Sequence, residues 1–380
     1  MSEIGVGLIG GGLMGKELAP TLARWPSLQQ PGSTPVLRAV CDTNPAVLGW
    51  FSRVASVQTT TDDYRRLLDD PSIEVLYIAV PHHLHERIFI DAIEAGKDVM
   101  AEKPFGLDLD AARVILAAVR GRPDAFVRVS SEIPFFPGAQ KAIQAAVDGE
   151  LGEVLDVRVG LEHAGDLDRT KPINWKRQRA YCGPGGVMAD LGMHALHAPL
   201  RIGWLPETLF AVLTNMVEER PGPDGEPVAC DTFDNATLLA TLPATATAVA
   251  PMIVDMKRIS PGELNTWRFR AVGMSGGVEY TTRYPGTLRR FAVREGRQGW
   301  VEEGTGTASV SPTSIPAAVE FGFTDAVFQM WAAFFAERDG SLGDRFGCAT
   351  PDEAFATQRI FTAALRSHER REAVELAAIQ

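Results

Sequence analysis

Short apolar runs alternate with helical segments along the first third of the chain. The runs have the length and composition of strands buried on both faces of a parallel sheet, and they cover Ile4 to Ile9, Val36 to Val40, Val75 to Val80, Asp98 to Ala101 and Phe126 to Ser130. Helices are predicted between them, at Lys16 to Trp25, Glu86 to Ala95 and Val114 to Val119. This alternation predicts an N-terminal α/β domain with a parallel sheet over residues 1–130.

The pattern changes after the proline-containing segment at residues 132–137, which we interpret as a hinge. Strand-like segments then cover Val154 to Glu162, Leu209 to Val217, Thr232 to Leu242, Thr245 to Asp255 and Trp267 to Val272. Turns that contain Gly and Pro connect them, as a mostly antiparallel sheet requires. Helices are predicted at Gln140 to Asp148, Phe323 to Glu337 and Asp352 to Arg366. We therefore predict a second α/β domain over residues 131–380.

Bulk composition narrows the functional class. The chain has 380 residues and a formal net charge of −11, which would repel nucleic acid and anionic membrane surfaces. Its cysteines, Cys41, Cys182, Cys230 and Cys348, are widely separated and include no C-x-x-C pair, so neither a zinc site nor a disulfide framework is indicated. The sequence contains no apolar stretch long enough to cross a bilayer and no basic leader before the first strand, so we expect a cytoplasmic protein.

A glycine-rich turn follows the first predicted strand. It reads Gly-Gly-Gly-Leu-Met-Gly and satisfies G-x-G-x-x-G between a strand and a helix. In this arrangement Gly10 makes the tight turn, Gly12 lets a pyrophosphate approach the backbone and Gly15 packs the helix on the strand. Leu13 and Met14 lie at the start of the helix, whose positive end would hold the phosphates. The segment therefore predicts a dinucleotide site.

Asp42, directly after the second apolar run, indicates which dinucleotide is bound. Its carboxylate can accept hydrogen bonds from both ribose hydroxyls. The next residues are Thr43 and Asn44 rather than an Arg or Lys that would hold a 2′-phosphate. We predict NAD as the cofactor in preference to NADP.

Further polar residues follow the later strands, at the edge where open α/β sheets bind ligands. Those predicted to contact the cofactor are Pro81, His82, His85, Glu102 and Lys103. Together with His83 the histidines form a cluster, but metal-binding imidazoles need a fixed geometry and a further ligand, so we predict no metal. Because Pro104 follows Lys103, we expect the ammonium of this lysine to point toward the nicotinamide.

The segment at residues 183–194 carries a carboxylate and an imidazole four residues apart, at the start of an apolar helix. Asp190 and His194 therefore lie on one helical face, and the carboxylate can fix one tautomer of the imidazole and stabilise its protonated form. We interpret the pair as a proton-transfer device. From these residues alone, a buried histidine that is hydrogen-bonded to its helix neighbour is an equally good interpretation.

A polar loop at residues 166–179 precedes this helix. Sugars are bound by planar polar groups and by an aromatic face against their C–H surface. His163, Trp175 and Lys176 supply such groups, and we predict that they bind a polyol.

The glycine turn at residues 10–15, the tripeptide Glu102-Lys103-Pro104 and the segment from Gly185 to His194 occur together in this chain, and residues 92–97 and 350–354 extend the likeness along it. The combination resembles the Gfo/Idh/MocA family of sugar and cyclitol oxidoreductases. The resemblance implies an N-terminal Rossmann domain, a C-terminal α/β domain with a large open sheet, and a catalytic set of Lys103, Asp190 and His194. It also implies that the open sheet face pairs with another subunit, in a homodimer or homotetramer.

One residue departs from the family pattern. Many members carry an Asp three residues after the motif histidine, where this chain has His197. We expect His197 to lie at the substrate site and to indicate a different pattern of substrate hydroxyls.

The predicted reaction is reversible hydride transfer between NAD and a carbinol carbon of a sugar, glycoside or cyclitol. His194 is the expected base, Asp190 orients it, and Lys103 donates to the developing alkoxide. The reverse assignment, with Lys103 as the base, stays open because burial readily lowers the pKa of a lysine. Two other functions also stay open: a glycosidase that uses tightly held NAD for transient oxidation, and a noncatalytic sugar or cofactor sensor.

Overall fold

The computed structural model describes residues 2–29, 32–243, 249–306, 309–314 and 321–380. The chain divides into two compact units. The first comprises Met1–Gly106, Asp110–Phe135 and Ala308–Ala354, and the second comprises Leu107–Leu109, Phe136–Thr307 and Phe355–Gln380. The predicted boundary at residue 130 lies close to Phe135, after which the chain passes from the first unit to the second. The prediction of a continuous second domain over residues 131–380 is corrected, because residues 308–354 belong to the first unit.

The first unit contains a parallel sheet. Its strands are β1 (Glu3–Ile9), β2 (Thr34–Cys41), β3 (Thr59–Thr61), β4 (Val75–Ile78), β5 (Asp98–Ala101) and β6 (Val127–Val129). Within the described residues they are ordered β3-β2-β1-β4-β5-β6, and every neighbouring pair is parallel. The direction of sheet growth reverses between β1 and β4, which is the switch point where open α/β sheets bind ligands. The predicted Rossmann fold of this unit is confirmed.

Helices connect these strands, and they are α1 (Leu13–Ala23), α2 (Pro45–Phe51), α3 (Arg65–Leu68), α4 (His85–Glu94) and α5 (Leu109–Gly121). Strand β4 is buried throughout and β1 at all but its first residue, as expected of a sheet that is covered on both faces. The helix predicted over Lys16 to Trp25 begins earlier, at Leu13, because it starts directly from the glycine turn.

The second unit combines helices with a large mixed sheet. Its helices include α6 (Pro137–Val147), α7 (Arg179–Cys182) and α8 (Val187–Ile202). Its strands are β7 (Val154–Glu162), β8 (Thr208–Thr214), β9 (Glu219–Pro221), β10 (Pro227–Ala229), β11 (Asn235–Thr241), β12 (Pro251–Lys257), β13 (Thr266–Gly273), β14 (Gly276–Thr281), β15 (Thr287–Ala292), β16 (Val301–Gly304) and β17 (Val374–Glu375). The strand predicted over Thr245 to Asp255 corresponds to β12, and residues 244–248 lie outside the described residues.

The strands of the large sheet run in the order β16-β15-β14-β13-β7-β12-β11-β8-β17. Among the described residues its only parallel pair is β7 with β12, which confirms the predicted, mostly antiparallel sheet. Helices α6 and α8 pack against one face, where Trp267 and Phe269 of β13 are buried. Because side chains alternate along a strand, Phe210, Val212 and Leu239 point from β8 and β11 to the other face, and they are exposed.

Helix α9 (Phe323–Arg338) accounts for the return of the chain to the first unit. Its Trp331 is fully buried and packs edge-on against Tyr77 of β4, with 5.2 Å between ring centroids. Trp25 packs in the same way against Phe328 and Phe335 of this helix. Large aromatic side chains contribute much apolar area to a core, so α9 is part of the core of the first unit.

Helix α10 (Pro351–Arg370) continues into the second unit and packs against α8. A Cβ atom at Gly192 of α8 would lie 2.4 Å from the ring of Phe361, so only glycine permits this approach. No helix in the described part of the chain is both long and apolar enough to cross a membrane.

Candidate active site

The glycine turn in the first unit permits close backbone approach. Gly10 has a φ of +96°, and a Cβ there would lie 2.3 Å from the carbonyl oxygen of Ala79. A Cβ at Gly15 would lie 2.2 Å from the carbonyl oxygen of Gly10. A side chain is therefore excluded at both positions. The turn has the backbone geometry that the sequence pattern predicts.

The start of α1 is open toward solvent. A Cβ at Gly12 would meet nothing within 4 Å, and Leu13 is 80% exposed. Among the described side chains, none caps the N-terminus of α1. The first N–H groups of a helix need acceptors, and phosphate oxygens are suitable ones. The turn therefore fits the pyrophosphate of a dinucleotide.

Asp42 is held next to this turn. Its Oδ2 accepts a hydrogen bond from the backbone N–H of Gly11 at 2.8 Å, and its Oδ1 accepts one from the N–H of Asn44 at 2.8 Å. Each carboxylate oxygen can accept a further bond. The carboxylate is thus fixed in orientation and retains the capacity to bind the hydroxyls of a ribose.

The residues after β4 differ in exposure. His85 is fully buried, and its Nδ1 and Nε2 lie 2.8 Å from the carbonyl oxygen of Pro104 and 2.9 Å from that of Val80. Burial lowers the pKa of His85 to about 4, and the two backbone carbonyls oppose this shift. The ring of His85 thus lies between two backbone carbonyls of the first unit, and its contact with the cofactor stays a prediction. His82 is also buried, whereas Pro81 remains partly exposed.

Glu102 and Lys103 directly follow β5. Glu102 is buried, its Oε1 accepts a hydrogen bond from the hydroxyl of Tyr77 at 2.6 Å, and its Oε2 accepts one from the N–H of Lys103 at 3.2 Å. The side chain of Glu102 is therefore used within the first unit to hold the strand end. Lys103 remains partly exposed, and its peptide bond to Pro104 is cis.

Glu132 is a buried carboxyl that the sequence analysis did not single out. It follows β6 and is 4% exposed. Burial, together with the charge of Glu102, raises the pKa of Glu132 to about 7, and the ammonium of Lys103 opposes this rise. The first unit thus places a second titratable carboxyl in the electrostatic environment of Glu102 and Lys103.

Replacement of Glu132 by Gln is expected to change how stability depends on pH. In the folded chain the pKa of about 7 lies above the ordinary value of 4.5, so the unfolded chain releases this proton first as pH rises. Glu132 therefore lowers the free energy of unfolding as pH rises through this window, by up to about 3 kcal/mol. The free energy of unfolding is measured with urea at about pH 5 and at about pH 8. The difference in this free energy between Glu132→Gln and the parent should shift in favour of Glu132→Gln at the higher pH. Glu86→Gln, at an exposed helix position, is the control, and an equal pH response of Glu132→Gln and parent would contradict the assignment.

Helix α8 of the second unit carries two of the predicted catalytic residues. Asp190 and His194 both lie on it and are buried. Gly186 before the helix has a φ of +54°, a conformation that favours glycine. The backbone carbonyl of His194 accepts a hydrogen bond from the indole N–H of Trp267 at 2.8 Å, which ties α8 to β13.

Asp190 is hydrogen-bonded to two cations. Its Oδ1 accepts from Nζ of Lys176 at 2.8 Å, and its Oδ2 accepts from Nε of Arg258 at 3.2 Å. Such charge-assisted bonds hold the carboxylate as the anion and fix its orientation. Lys176, predicted as a polyol ligand, is therefore also the partner of a predicted catalytic residue. Arg258 was missed, because no local pattern links it to a residue 68 positions away.

His163 has a defined tautomer in the second unit. Its Nδ1 accepts the N–H of Gly165 at 3.0 Å, so the neutral ring carries its proton on Nε2 and can donate from there. Burial lowers the pKa of His163, and the carboxylate of Asp190 opposes this. The side chain of Trp175 lies beside Lys176, with 5.8 Å from the ring centroid to Nζ. These three residues keep the polar and aromatic character that the polyol prediction requires.

His197 lies inside the second unit. Its side chain is fully buried, and its Nε2 lies 3.2 Å from Nη2 of Arg201. A guanidinium only donates, so Nε2 of His197 accepts. That His197 contacts substrate stays a prediction.

Buried arginines hold the polar loop at residues 166–179. Arg220 donates to the carbonyl oxygens of Asp166 at 2.7 Å and Asp168 at 2.8 Å. Arg177, inside the loop, donates to the carboxylate of Asp234 at 3.1 Å, and both side chains are fully buried. The loop is therefore anchored to the second unit at both ends, which fixes the backbone that carries Lys176.

Two family profiles match consecutive parts of the chain. Residues 4–129 match the oxidoreductase family with the NAD-binding Rossmann fold, and residues 139–279 match the GFO/IDH/MocA C-terminal domain. The chain belongs to the Gfo/Idh/MocA oxidoreductase family. The glycine turn lies in the first match and helix α8 in the second.

Several dehydrogenases are similar to this Gfo/Idh/MocA protein. It is 30% identical over 222 residues to levoglucosan dehydrogenase of Pseudarthrobacter phenanthrenivorans, a match that covers 58% of this chain and 56% of the relative. It is 26% identical over 165 residues to the NADP(+) D-xylose 1-dehydrogenase of Hypocrea jecorina, which covers 43% of this chain and 40% of that one. The matched region thus spans about half the length of such relatives or less. A levoglucosan dehydrogenase structure with NADH and levoglucosan superposes with a TM-score of 0.87 at 25% identity and covers 99% of this chain and 100% of the other.

Proposed function

We propose that the protein transfers hydride between NAD and a carbinol carbon of a sugar, glycoside or cyclitol. The observation that carries the proposal is the retention, in a chain of this oxidoreductase family, of a fitted dinucleotide turn, Lys103, and the Asp190 and His194 pair on α8. The named relatives are dehydrogenases, so the glycosidase and sensor alternatives receive no support from them.

The mechanism assigns one step to each of three side chains. Bound NAD supplies the carbon that accepts the hydride. Oxidation of an alcohol also requires removal of its hydroxyl proton, and we assign this proton to His194. Lys103 donates a hydrogen bond to the oxygen as negative charge develops there. Asp190, held as the anion by Lys176 and Arg258, stabilises the protonated imidazole.

Polyol binding is assigned to the second unit. His163 presents an N–H donor from Nε2, and Lys176 carries an ammonium with three N–H donors, one of which is bonded to Asp190. Trp175 supplies an aromatic surface for C–H groups. A substrate with several hydroxyls would satisfy these donors, and a simple alcohol would not.

The cofactor is proposed to be NAD rather than NADP, on the strength of the fixed carboxylate of Asp42. Asp42→Ala removes two acceptors from the ribose and one repulsive charge from the region of a 2′-phosphate. We expect the Michaelis constant for NAD to rise about tenfold, the effect of one lost hydrogen bond to a charged group, and the NAD preference to narrow. Glu94→Ala, at an exposed position in α4, is the control. If Asp42→Ala keeps the parent's ratio of kcat/KM for NAD to that for NADP, Asp42 does not bind the ribose.

A substrate panel tests the proposed function. The full chain is mixed with NAD and with pyranoses, glycosides, anhydrosugars including levoglucosan, and inositols, and NADH formation is followed by absorbance. We expect saturable NADH formation with a subset of these compounds and none with ethanol. Failure of every polyol, in both directions of reaction and with either NAD or NADP, would contradict the proposal.

The open face of the large sheet is proposed to join two copies of the chain in a homodimer or homotetramer. Phe210, Val212 and Leu239 are exposed on this face, where a second copy would bury them. Light scattering coupled to gel filtration measures the mass directly. A monomeric mass at micromolar concentration would exclude this assembly.

A further inference from the structure

We propose that Arg258 is a positioning residue for hydride transfer, which acts by fixing the carboxylate of Asp190. The inference rests on the proposed function and deepens it. The guanidinium of Arg258 donates in three directions: from Nε to Asp190 at 3.2 Å, from Nη1 to the carbonyl of Lys176 at 3.1 Å, and from Nη2 to the carbonyl of Gly186 at 3.4 Å. One side chain thus joins the catalytic helix, the turn before it and the polar loop.

Arg258 is itself firmly held. It directly follows β12, and its backbone N–H donates to the carbonyl of Asp234 at 2.9 Å. Its side chain is 2% exposed and that of Asp190 is 6% exposed, so water competes little for their ion pair. Removing one partner of a buried ion pair leaves the other charge uncompensated. The position of Asp190 is therefore coupled through this pair to the C-terminal end of β12, an interior strand of the large sheet.

The positive charge of Arg258 alone does not explain its proposed effect on Asp190. Lys176 already supplies a cation to Asp190, through Oδ1 at 2.8 Å. The bond from Arg258 engages the other oxygen, so the two cations together prevent rotation of the carboxylate about its last torsion. A lysine at position 258 could donate to Asp190 or to a carbonyl, but its single ammonium lacks the planar fork that reaches all three acceptors. The specific contribution of Arg258 is therefore orientation.

This role predicts a defined kinetic pattern. Arg258→Lys keeps the charge and loses the three-way tie, so Asp190 and the carbonyl of Lys176 are no longer fixed relative to each other. Displacement of a catalytic group by about 1 Å costs up to about 100-fold in rate. We expect kcat to fall by about 10- to 100-fold, with the Michaelis constant for NAD within about twofold of the parent.

The experiment compares Arg258→Lys and Arg258→Ala with a control arginine. Arg359 lies in the same unit and donates to the carbonyls of Ile379 at 3.0 Å and Leu376 at 2.9 Å. Arg359→Ala therefore removes guanidinium bonds of the same kind, away from Asp190. Each variant is assayed for kcat and for melting temperature, with and without ethylguanidinium at about 20 mM. We expect ethylguanidinium to restore part of kcat in Arg258→Ala. Arg359→Ala should have a kcat within about twofold of the parent, and ethylguanidinium should not change it.

Two results would overturn the inference. One is a folded Arg258→Lys variant with kcat within about threefold of the parent. The other is an Arg258→Ala variant whose loss of kcat matches that of Arg359→Ala or does not respond to ethylguanidinium. If Arg258→Ala fails to fold, Arg258→Lys decides alone. Failure of the proposed function is distinguished by the parent, which would then show no NAD-dependent turnover of any polyol.

Discussion

Replacement of Lys103 by Met is expected to lower kcat by about two to three orders of magnitude while NAD binding stays nearly intact. The ammonium is proposed to donate to the oxygen only as charge develops there, and loss of one such preorganised donor has an effect of this size. The phosphates of the cofactor are proposed to rest on the glycine turn instead, so fluorescence titration with NADH should give a dissociation constant within about threefold of the parent.

The control for this variant is Lys97→Met. Lys97 lies in the same unit, and its Nζ donates to the carbonyls of Asp70 at 2.8 Å and Ile73 at 2.7 Å. Its replacement should lower the melting temperature and preserve kcat in the protein that remains folded. Turnover of Lys103→Met within about twofold of the parent would remove Lys103 from the mechanism.

Replacement of His194 by Ala is expected to lower kcat at least as much as replacement of Asp190 by Asn. In the double variant, the two reductions in kcat should not multiply. Asp190→Asn keeps the shape of the side chain and removes the charge that stabilises the imidazolium. In the double variant, kcat should lie within about threefold of that of His194→Ala, because residues that act as one unit are not additive.

The pH profile separates the two assignments of the base. In the oxidation direction kcat of the parent should rise through an apparent pKa between about 6 and 8, the range of a histidine near a carboxylate. This limb should be lost in His194→Ala. If it persists, or if the two losses multiply independently, Lys103 or a bound water is the base and the proposed pairing is wrong.

The parallel sheet and the position of Asp190 and His194 on one helix could be predicted because their signals are local. Strand β5 follows from a short apolar run and β7 from an alternation of period two, and both were predicted with the bounds that the structure has. The glycine turn requires particular residues at fixed offsets, and the spacing of Asp190 and His194 follows from one helical turn. Such features do not depend on partners that are distant in sequence.

The strands from β14 to β16 were not predicted, because charged residues interrupt their alternation. Arg289 of β15 pairs with Glu279 of β14 at 3.2 Å, and Arg290 pairs with Glu303 of β16 at 3.3 Å. Each charge is compensated across the sheet, which a single strand does not reveal. The bond between Arg258 and Asp190 was missed for the same reason.

Transfer of deuterium from a labelled substrate to the cofactor tests whether the protein moves hydride between the two. The best polyol of the panel is prepared with deuterium at the carbinol carbon that is oxidised, and the reduced cofactor is examined by mass spectrometry and NMR. We expect one deuterium per cofactor at C4 of the nicotinamide, together with a ketone product and a slower rate for the labelled compound under single-turnover conditions. Unlabelled cofactor, or release of a hydrolysed sugar without net NADH, would contradict the proposed hydride transfer.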